Sequence, residues 1–391
     1  MITVQLLKNL EKTIKNGHPW IFRNALKPFS AAPGSVVTVF DRSGRFCCAG
    51  LADEGPIGVR VFSLADSPID HTLFSQRIND ALALRDRLGL RDTDALRLIH
   101  GEGDFLPGIV LDRYGRYAVL NFDGKALLSW KETIVSALKP ALMDRGVDTL
   151  LFRRKKQHEK EVSVLYGCMP EGLVRVREYG MYLWADLVNG QKTGLFLDHR
   201  ESRKRVRTLS KGKTALNLYG YTGGFSVAAG LGGALSVTTV DSAPEAIRLA
   251  EKTWAENGLC PEEHLAVTAD VATFMKTGNR KKYDLIIADP PSFAPRKSAV
   301  PNAVRAYQML HASVLGALNP GGVYIAASCS SHINGTVFEK TLQDAAYKAG
   351  KKIRIVEKWG AGRDHPVRKG FPEGEYLKVF QVEAGNTTAY A

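Results

Sequence analysis

Leu216-Asn217-Leu218-Tyr219-Gly220-Tyr221-Thr222-Gly223-Gly224-Phe225 decides how this chain folds. Its apolar start is a short buried-type strand, and its glycines let the backbone turn tightly and approach a ligand before a helix begins. Outward from it the same alternation continues: Thr214 to Leu218, Ser236 to Val240, Ala266 to Thr268, Asp284 to Ala288 and Val323 to Ala327 read as strands with helical stretches between them. Such alternation makes an α/β domain with a mostly parallel, doubly wound sheet. Ile353 to Glu357 and Tyr376 to Val382 have no convincing helix between them and read as an antiparallel pair at the C-terminal end.

In an open sheet of this kind the ligand lies beyond the carboxyl ends of the strands, where the strand order reverses. The first strand ends in the glycine turn, and the second in Asp241, whose carboxylate can accept both ribose hydroxyl protons of an adenosine. Gly220, Gly223 and Gly224 lack the G-x-G-x-x-G spacing that seats a pyrophosphate, which disfavours a dehydrogenase. Asp270 follows the third strand, where it can bond the exocyclic amine of adenine or cap a helix. The helix after Asp241 shows Ser242 as N-cap, Pro244 in its first turn, Glu245 completing a capping box, and Asn257-Gly258 as its stop. The fourth strand ends in Asp289-Pro290-Pro291-Ser292-Phe293 and the fifth in Ser328-Cys329-Ser330-Ser331-His332, at the same sheet edge. Two prolines stiffen the backbone there and can present Asp289 and Phe293 to a flat base.

Upstream, Val36 to Phe40, Arg45 to Gly50 and Ile57 to Phe62 alternate with turn signals and suggest a small curled sheet. A helical stretch from Leu73 to Leu88 follows, with a domain boundary near 70 to 75. Residues 95 to 180 mix strand-like runs with an amphipathic helix around Trp130 to Leu142, an α+β module. Within it Arg153-Arg154-Lys155-Lys156 reads as an exposed loop or ribbon. Domains are expected at 1–74, 75–180 and 181–391.

A formal net charge of +13 favours a polyanionic partner, with nucleic acid first, because each Lys or Arg set against a phosphate releases a counterion. No run of eighteen apolar residues is present, and Lys8, Glu11, Lys12 and Lys15 stand where a signal peptide would be apolar. A cytoplasmic protein without a membrane partner is the expectation. The five cysteines are scattered, with no C-x-x-C pair, so no metal site is expected. A homodimer stays open.

Asn189 to Arg200, Tyr221-Thr222-Gly223-Gly224-Phe225, Asp289 to Phe293, Ser328-Cys329-Ser330, Asp364-His365-Pro366 and Glu375-Tyr376-Leu377-Lys378 resemble the bacterial large-subunit rRNA cytosine-C5 methyltransferase family over nearly the whole chain. The resemblance implies a PUA-like domain, a middle α+β domain and a Rossmann-like class I methyltransferase domain. It implies S-adenosylmethionine as cofactor, held by Asn217, Tyr219, Tyr221, Thr222, Gly223, Asp241, Ser242, Asp270, Asp289, Phe196 and Arg200. The implied substrate is 23S rRNA or its precursor.

Carbon 5 of cytosine is a weak nucleophile, and a thiolate adding to carbon 6 overcomes this. Cys329 takes that role by resemblance, with Asp289 holding or protonating N3; the other reading of Cys329 is a small buried hydrophobe at a strand end. The base for carbon 5 proton removal is unassigned. Asp198 to Arg207 reads as a helix entry, with Asp198 and Glu201 as a capping-box-like pair and Arg200, Arg203, Lys204 and Arg207 on one stripe. Arg203 and Arg207, with Pro290 and Phe293, are the expected substrate contacts. Two other functions stay open: methylation of a base nitrogen such as guanine N7, which needs no cysteine, and an RNA-binding assembly factor without turnover.

Overall fold

The computed structural model describes residues 2–156, 159–277 and 281–385. These fall into two compact units, one from Met1–Val176, Ala185–Leu197 and Arg363–Gly374, the other from Arg177–Trp184, Asp198–Gly362 and Glu375–Ala391.

The first unit opens with β1 (Ile2–Gln5), α1 (Glu11–Lys15), β2 (Trp20–Phe22), β3 (Val36–Phe40), β4 (Phe46–Ala52) and β5 (Ile57–Ser63), in a sheet ordered β1-β3-β4-β5-β2. Val4, Ile21, Val37, Val39, Cys48, Val59 and Val61 are its buried face. The curled sheet read from 36 to 62 is there, and β1 and β2 add to it. Next comes α2 (His71–Arg87), capped by Asp70, whose Oδ1 accepts from Leu73 N at 3.0 Å.

β6 (Ala95–His100), β7 (Ile109–Tyr114), β8 (Tyr117–Phe122), α3 (Lys131–Met143), β9 (Thr149–Lys156) and β10 (Glu159–Tyr166) complete the unit's second sheet, ordered β10-β9-β8-β7-β6. Only the β8 and β9 pair is parallel, joined through α3, as a parallel pair needs a crossover. Phe74, Ile78, Leu82, Leu111, Leu120, Leu138 and Leu150 pack the helices against the sheet. Arg153 to Lys156 continues β9 as one strand of a ribbon with β10, and Arg153 itself is buried and donates to the Gly190 carbonyl. Gln157 and His158 lie outside the described residues.

Two later segments close on this unit. Thr193 Oγ1 donates to Asp112 Oδ2 at 2.6 Å, while Asp364 accepts from Arg97 N at its Oδ2 (2.9 Å) and from Arg85 Nη2 at its carbonyl (2.7 Å).

β11 (Val174–Glu178) and β12 (Met181–Ala185) form a two-stranded sheet. The second unit continues through α4 (Arg200–Leu209), β13 (Thr214–Leu218), α5 (Gly224–Leu231), β14 (Ser236–Asp241), α6 (Pro244–Glu256), β15 (His264–Thr268), α7 (Val271–Thr277), β16 (Tyr283–Ala288), α8 (Val300–Ala317), β17 (Leu318–Ser328), α9 (Gly335–Lys348), β18 (Ile353–Trp359) and β19 (Lys378–Ala384). The sheet order is β15-β14-β13-β16-β17-β19-β18. β13 to β17 are parallel, and β19 runs antiparallel between β17 and β18, as the lack of a helix before it predicts. Register sets Thr238, Leu216, Ile286, Tyr324 and Val382 in one row across the sheet, all buried. Truncating a member such as Leu216 to Ala costs about 2–5 kcal/mol, since the packed layer cannot collapse into the gap.

Two helix starts differ from expectation. α6 has Ala243 as N-cap with no side-chain cap; Ser242 is exposed, and Glu245 turns to Arg248 instead of back to the helix end. The acceptor for the Ala243 N–H is Asp241 Oδ1 at 2.9 Å, which leaves the serine no capping task. α4 has His199 as N-cap, and the Asp198 and Glu201 box does not form: Asp198 Oδ2 accepts from Tyr376 OH (2.7 Å), and Glu201 Oε1 from Tyr179 OH (2.6 Å). Asn257 ends α6 as read, with Gly258 at φ +66° just beyond it.

Candidate active site

The strand order reverses between β13 and β16, so a ligand pocket belongs at their carboxyl ends. The turn after β13 is held in a costly shape. Tyr219 (φ +59°) and Tyr221 (φ +45°) are both left-handed, a conformation that costs a non-glycine residue about 1–3 kcal/mol. Gly223 follows at φ +77°, and a Cβ there would lie 2.9 Å from Ala250 Cα on α6. Only glycine admits that approach. Asp241, half-buried at the end of β14, holds the turn by accepting from Tyr221 N at Oδ2 (2.9 Å), besides Ala243 N at Oδ1.

Beneath the turn Asn217 is buried, its Nδ2 donating to Ser226 Oγ at 2.8 Å, and Ser226, Thr239 and His264 continue the chain of bonds. Asn217 Oδ1 has no hydrogen-bond partner among the described residues. Thr222 is buried, while Tyr219 and Tyr221 are half-buried. Asp270 is exposed at the start of α7, and its Oδ1 accepts from Thr273 N (2.9 Å) and Thr273 Oγ1 (3.0 Å). The helix cap thus uses Oδ1, which leaves Oδ2 for the adenine reading. Those bonds from Thr273 hold its carboxyl below the usual range.

The ends of β16 and β17 are tied together by hydroxyls. Ser330 Oγ lies 3.2 Å from Ser292 Oγ and 3.1 Å from Tyr307 OH, and Tyr307 OH lies 2.8 Å from Ser328 Oγ. Phe293 packs against Tyr307 with ring centroids 4.9 Å apart. Pro290 is buried, and its carbonyl is 3.9 Å from Cys329 Sγ. Cys329 is half-buried, so it is neither a core hydrophobe nor a surface thiol. Lys378 on β19 faces Ser328 in register and donates to the carbonyls of Ser330 and Tyr376, both at 2.7 Å. Burial pushes Lys378 down to about 8, against the opposing pull of Cys329.

Asp289 is half-buried, and its Oδ2 is 3.1 Å from Nε2 of His199. Burial opposes a charge on His199, but the Asp289 carboxylate outweighs it and holds the imidazole above its ordinary value. On the other side Nδ1 of His199 meets Ser202 Oγ at 3.2 Å, which also accepts from Trp359 Nε1 at 2.8 Å. Sequence reasoning gave His199 no task of its own.

The basic stripe of α4 is not one solvent face. Arg200 and Arg203 are buried, and Arg203 forms a two-pronged bond to buried Glu178, Nε to Oε1 and Nη2 to Oε2, both at 2.6 Å. Lys204 is exposed, with its ammonium 4.8 Å from the Tyr179 ring, and half-buried Arg207 donates to the Tyr179 carbonyl at 3.2 Å. Glu178, Tyr179, Met181, Arg203, Lys204 and Arg207 line a cavity of about 340 Å³. Phe196 belongs to the first unit, where the Lys192 ammonium lies 5.7 Å from its ring.

Comparison with known proteins bears directly on this strand-end arrangement. The family described as S-adenosylmethionine-dependent methyltransferase matches residues 128–366, and that described as PUA-like domain matches 4–64. The chain belongs to the S-adenosylmethionine-dependent methyltransferases. It is 35% identical to Ribosomal RNA large subunit methyltransferase I of Erwinia tasmaniensis over 97% of this chain and 99% of that protein. Its identity to the protein of the same name from Escherichia coli O157:H7 is 34%, over 97% and 98%. Among solved structures, a methyltransferase in complex with SAH is similar with a TM-score of 0.88 and 26% identity, over 98% of this chain and all of that one. A methyltransferase from Streptococcus mutans is similar at 0.87 and 25%, over 98% and all.

The site of this methyltransferase fits its cofactor. Each oxygen of Asp241 accepts one backbone N–H and keeps a second lone pair for a ribose hydroxyl. Asn217 Oδ1 is a buried acceptor without a donor among the described residues, under a turn whose two tyrosines are held left-handed and whose glycine lets α6 come close.

Proposed function

We propose that this methyltransferase methylates carbon 5 of a cytosine in large-subunit ribosomal RNA, with Cys329 as a covalent nucleophile. The names of its relatives, its PUA-like residues and its net charge of +13 support RNA as substrate. The observation that carries the carbon 5 chemistry is the tie between the Cys329 loop and the Asp289-Pro290 loop through Ser330, Ser292 and Tyr307. It sets a thiol and a carboxylate on neighbouring strand ends in one rigid frame.

In this reading the Cys329 thiolate bonds to carbon 6 of the base, and the displaced electron pair moves towards carbon 5. Asp289 holds or protonates N3, with the His199 imidazole behind it as a store for the proton. When bound, S-adenosylmethionine would supply the electrophilic methyl group, its sulfonium leaving as the neutral thioether of S-adenosylhomocysteine. Loss of the carbon 5 proton re-forms the double bond to carbon 6 and expels the thiolate. Asp241 with Ser242 takes the cofactor ribose, Asp270 the adenine amine, and Asn217, Tyr219, Tyr221, Thr222 and Gly223 frame it, joined by Arg200. Pro290 and Phe293 flank the target base, and Arg207 serves the RNA backbone. Arg203 is a strut for α4, because Glu178 already occupies its guanidinium. Residues 1–74 act as the RNA-binding domain, 75–180 as the middle domain and 181–391 as the transferase, working in the cytoplasm alongside the RNA.

The test is incubation of unmodified large-subunit rRNA with methyl-labelled cofactor, followed by digestion to nucleosides. Labelled 5-methylcytidine is expected from the wild type and none from Cys329→Ala. Label in 7-methylguanosine, or a near wild-type rate in Cys329→Ala, overturns the reading.

A further inference from the structure

In the first unit, a half-buried arginine lacks any hydrogen-bond acceptor among the described residues. The Arg368 side chain makes no hydrogen bond among the described residues, and its Nε is fully covered. Its guanidinium lies 4.7 Å from the ring centroid of Phe105. The acidic side chain whose field reaches it, Glu102, is already engaged: its Oε1 accepts from Trp20 Nε1 at 2.8 Å and stands 3.5 Å from Arg60.

A second guanidinium crowds the same place. Arg77 donates to the carbonyls of Phe105 and Phe62, both at 2.5 Å, so its donors are turned to the backbone. Burial, and then repulsion from Arg368, push Arg77 down to about 10. Two cations share the locality, and the weaker-bonded one is Arg368. Gly17, at φ +108°, allows this closure: a Cβ there would stand 2.6 Å from the Lys369 carbonyl oxygen and 3.4 Å from Arg368 Nε.

Phe105 is itself out of the ordinary, being 52% exposed and held at φ +60°, where a bulky residue is strained. An exposed ring in a strained conformation, beside a cation without an acceptor, points to a ligand that is both flat and anionic. A nucleotide has both parts, with phosphate for the guanidinium and a base face for the ring. An acidic peptide would satisfy the cation and leave the ring bare.

We propose that Arg368 and Phe105 form a single-stranded RNA subsite, in which Arg368 takes a backbone phosphate and the exposed surface of Phe105 stacks on the adjoining base. The subsite rests on the reading of RNA as the substrate and adds to it a contact in the first unit.

The test measures a fluorescent short single-stranded RNA binding to the full-length protein across a salt series, for wild type, Arg368→Gln, Arg368→Lys and Phe105→Leu. Thermal unfolding and S-adenosylmethionine affinity serve as controls for folding. Arg368→Gln is expected to weaken binding about tenfold and to make the slope of log affinity against log salt shallower by about 0.7, with Arg368→Lys restoring the slope. Phe105→Leu is expected to weaken binding about fivefold at unchanged slope, since a leucine is apolar but cannot stack. Unchanged affinity in either Arg368→Gln or Phe105→Leu overturns the subsite. If the wild type methylates rRNA and the variants bind as it does, only the subsite falls; if the wild type neither binds nor methylates RNA, both readings fall.

Discussion

His199 Nε2 stands 3.1 Å from Asp289 Oδ2, and this pair joins the start of α4 to the end of β16. The imidazole is buried, yet the carboxylate raises it above its ordinary 6.5. A raised folded value contributes stability that is fully present below the unfolded value and is lost as pH rises through the folded one. The advantage of the wild type over His199→Gln in thermal midpoint is therefore greater at about pH 6 than at about pH 8. A gap that widened towards alkaline pH would contradict the pairing.

Asp241→Ala removes the acceptor for Tyr221 N and for Ala243 N in one step. The turn then loses what holds Tyr221 left-handed, and the cofactor loses its proposed ribose partner. Hydrogen bonds to a charged group contribute about 1.5–3 kcal/mol, so S-adenosylmethionine affinity falls about ten- to hundredfold by calorimetry. Cys329→Ala, which leaves that turn alone, keeps wild-type affinity for the cofactor.

Much of this site could be read from residue order. The stretch from Leu216 to Phe225 announces a strand, a tight turn and a helix because glycine and apolar spacing act locally, and Asp241 follows because a parallel sheet repeats its edge. What escaped depends on folding distance. His199 gains a task only when the sheet edge brings Asp289 to it. Arg203 resembles a phosphate ligand in any helical projection until Glu178 arrives from β11. Ser242 and Glu245 fit a capping box by spacing, but Asp241, a stronger acceptor, takes the N–H at issue. β1 is short and pairs in parallel with β3, well along the chain, so its periodicity is too brief to register.

Breaking the pair between Arg203 and Glu178 isolates a charge in the interior. Their side chains are only 7% and 1% exposed. Glu178→Ala is expected to destabilise the protein by about 3–5 kcal/mol in urea unfolding, because Arg203 is left buried without its partner. The double variant Glu178→Leu with Arg203→Met recovers most of that loss, since neither charge remains to be desolvated.

Lys378 carries the last prediction, through its two carbonyl partners beside Cys329. Burial lowers it to about 8, against 10.5 in the unfolded chain. Between those values the folded protein has released a proton that the unfolded chain retains, so this group makes stability rise with pH across that window. The neutral amine still has two N–H donors, enough for the Ser330 and Tyr376 carbonyls, and deprotonation breaks neither bond. Lys378→Met takes both donors away, so it is less stable at every pH and lacks the alkaline rise. Urea unfolding of both proteins from about pH 8 to pH 10 should show the advantage of the wild type growing by about 1–3 kcal/mol. A constant or shrinking advantage would mean that Lys378 keeps its proton when folded, as an exposed lysine does.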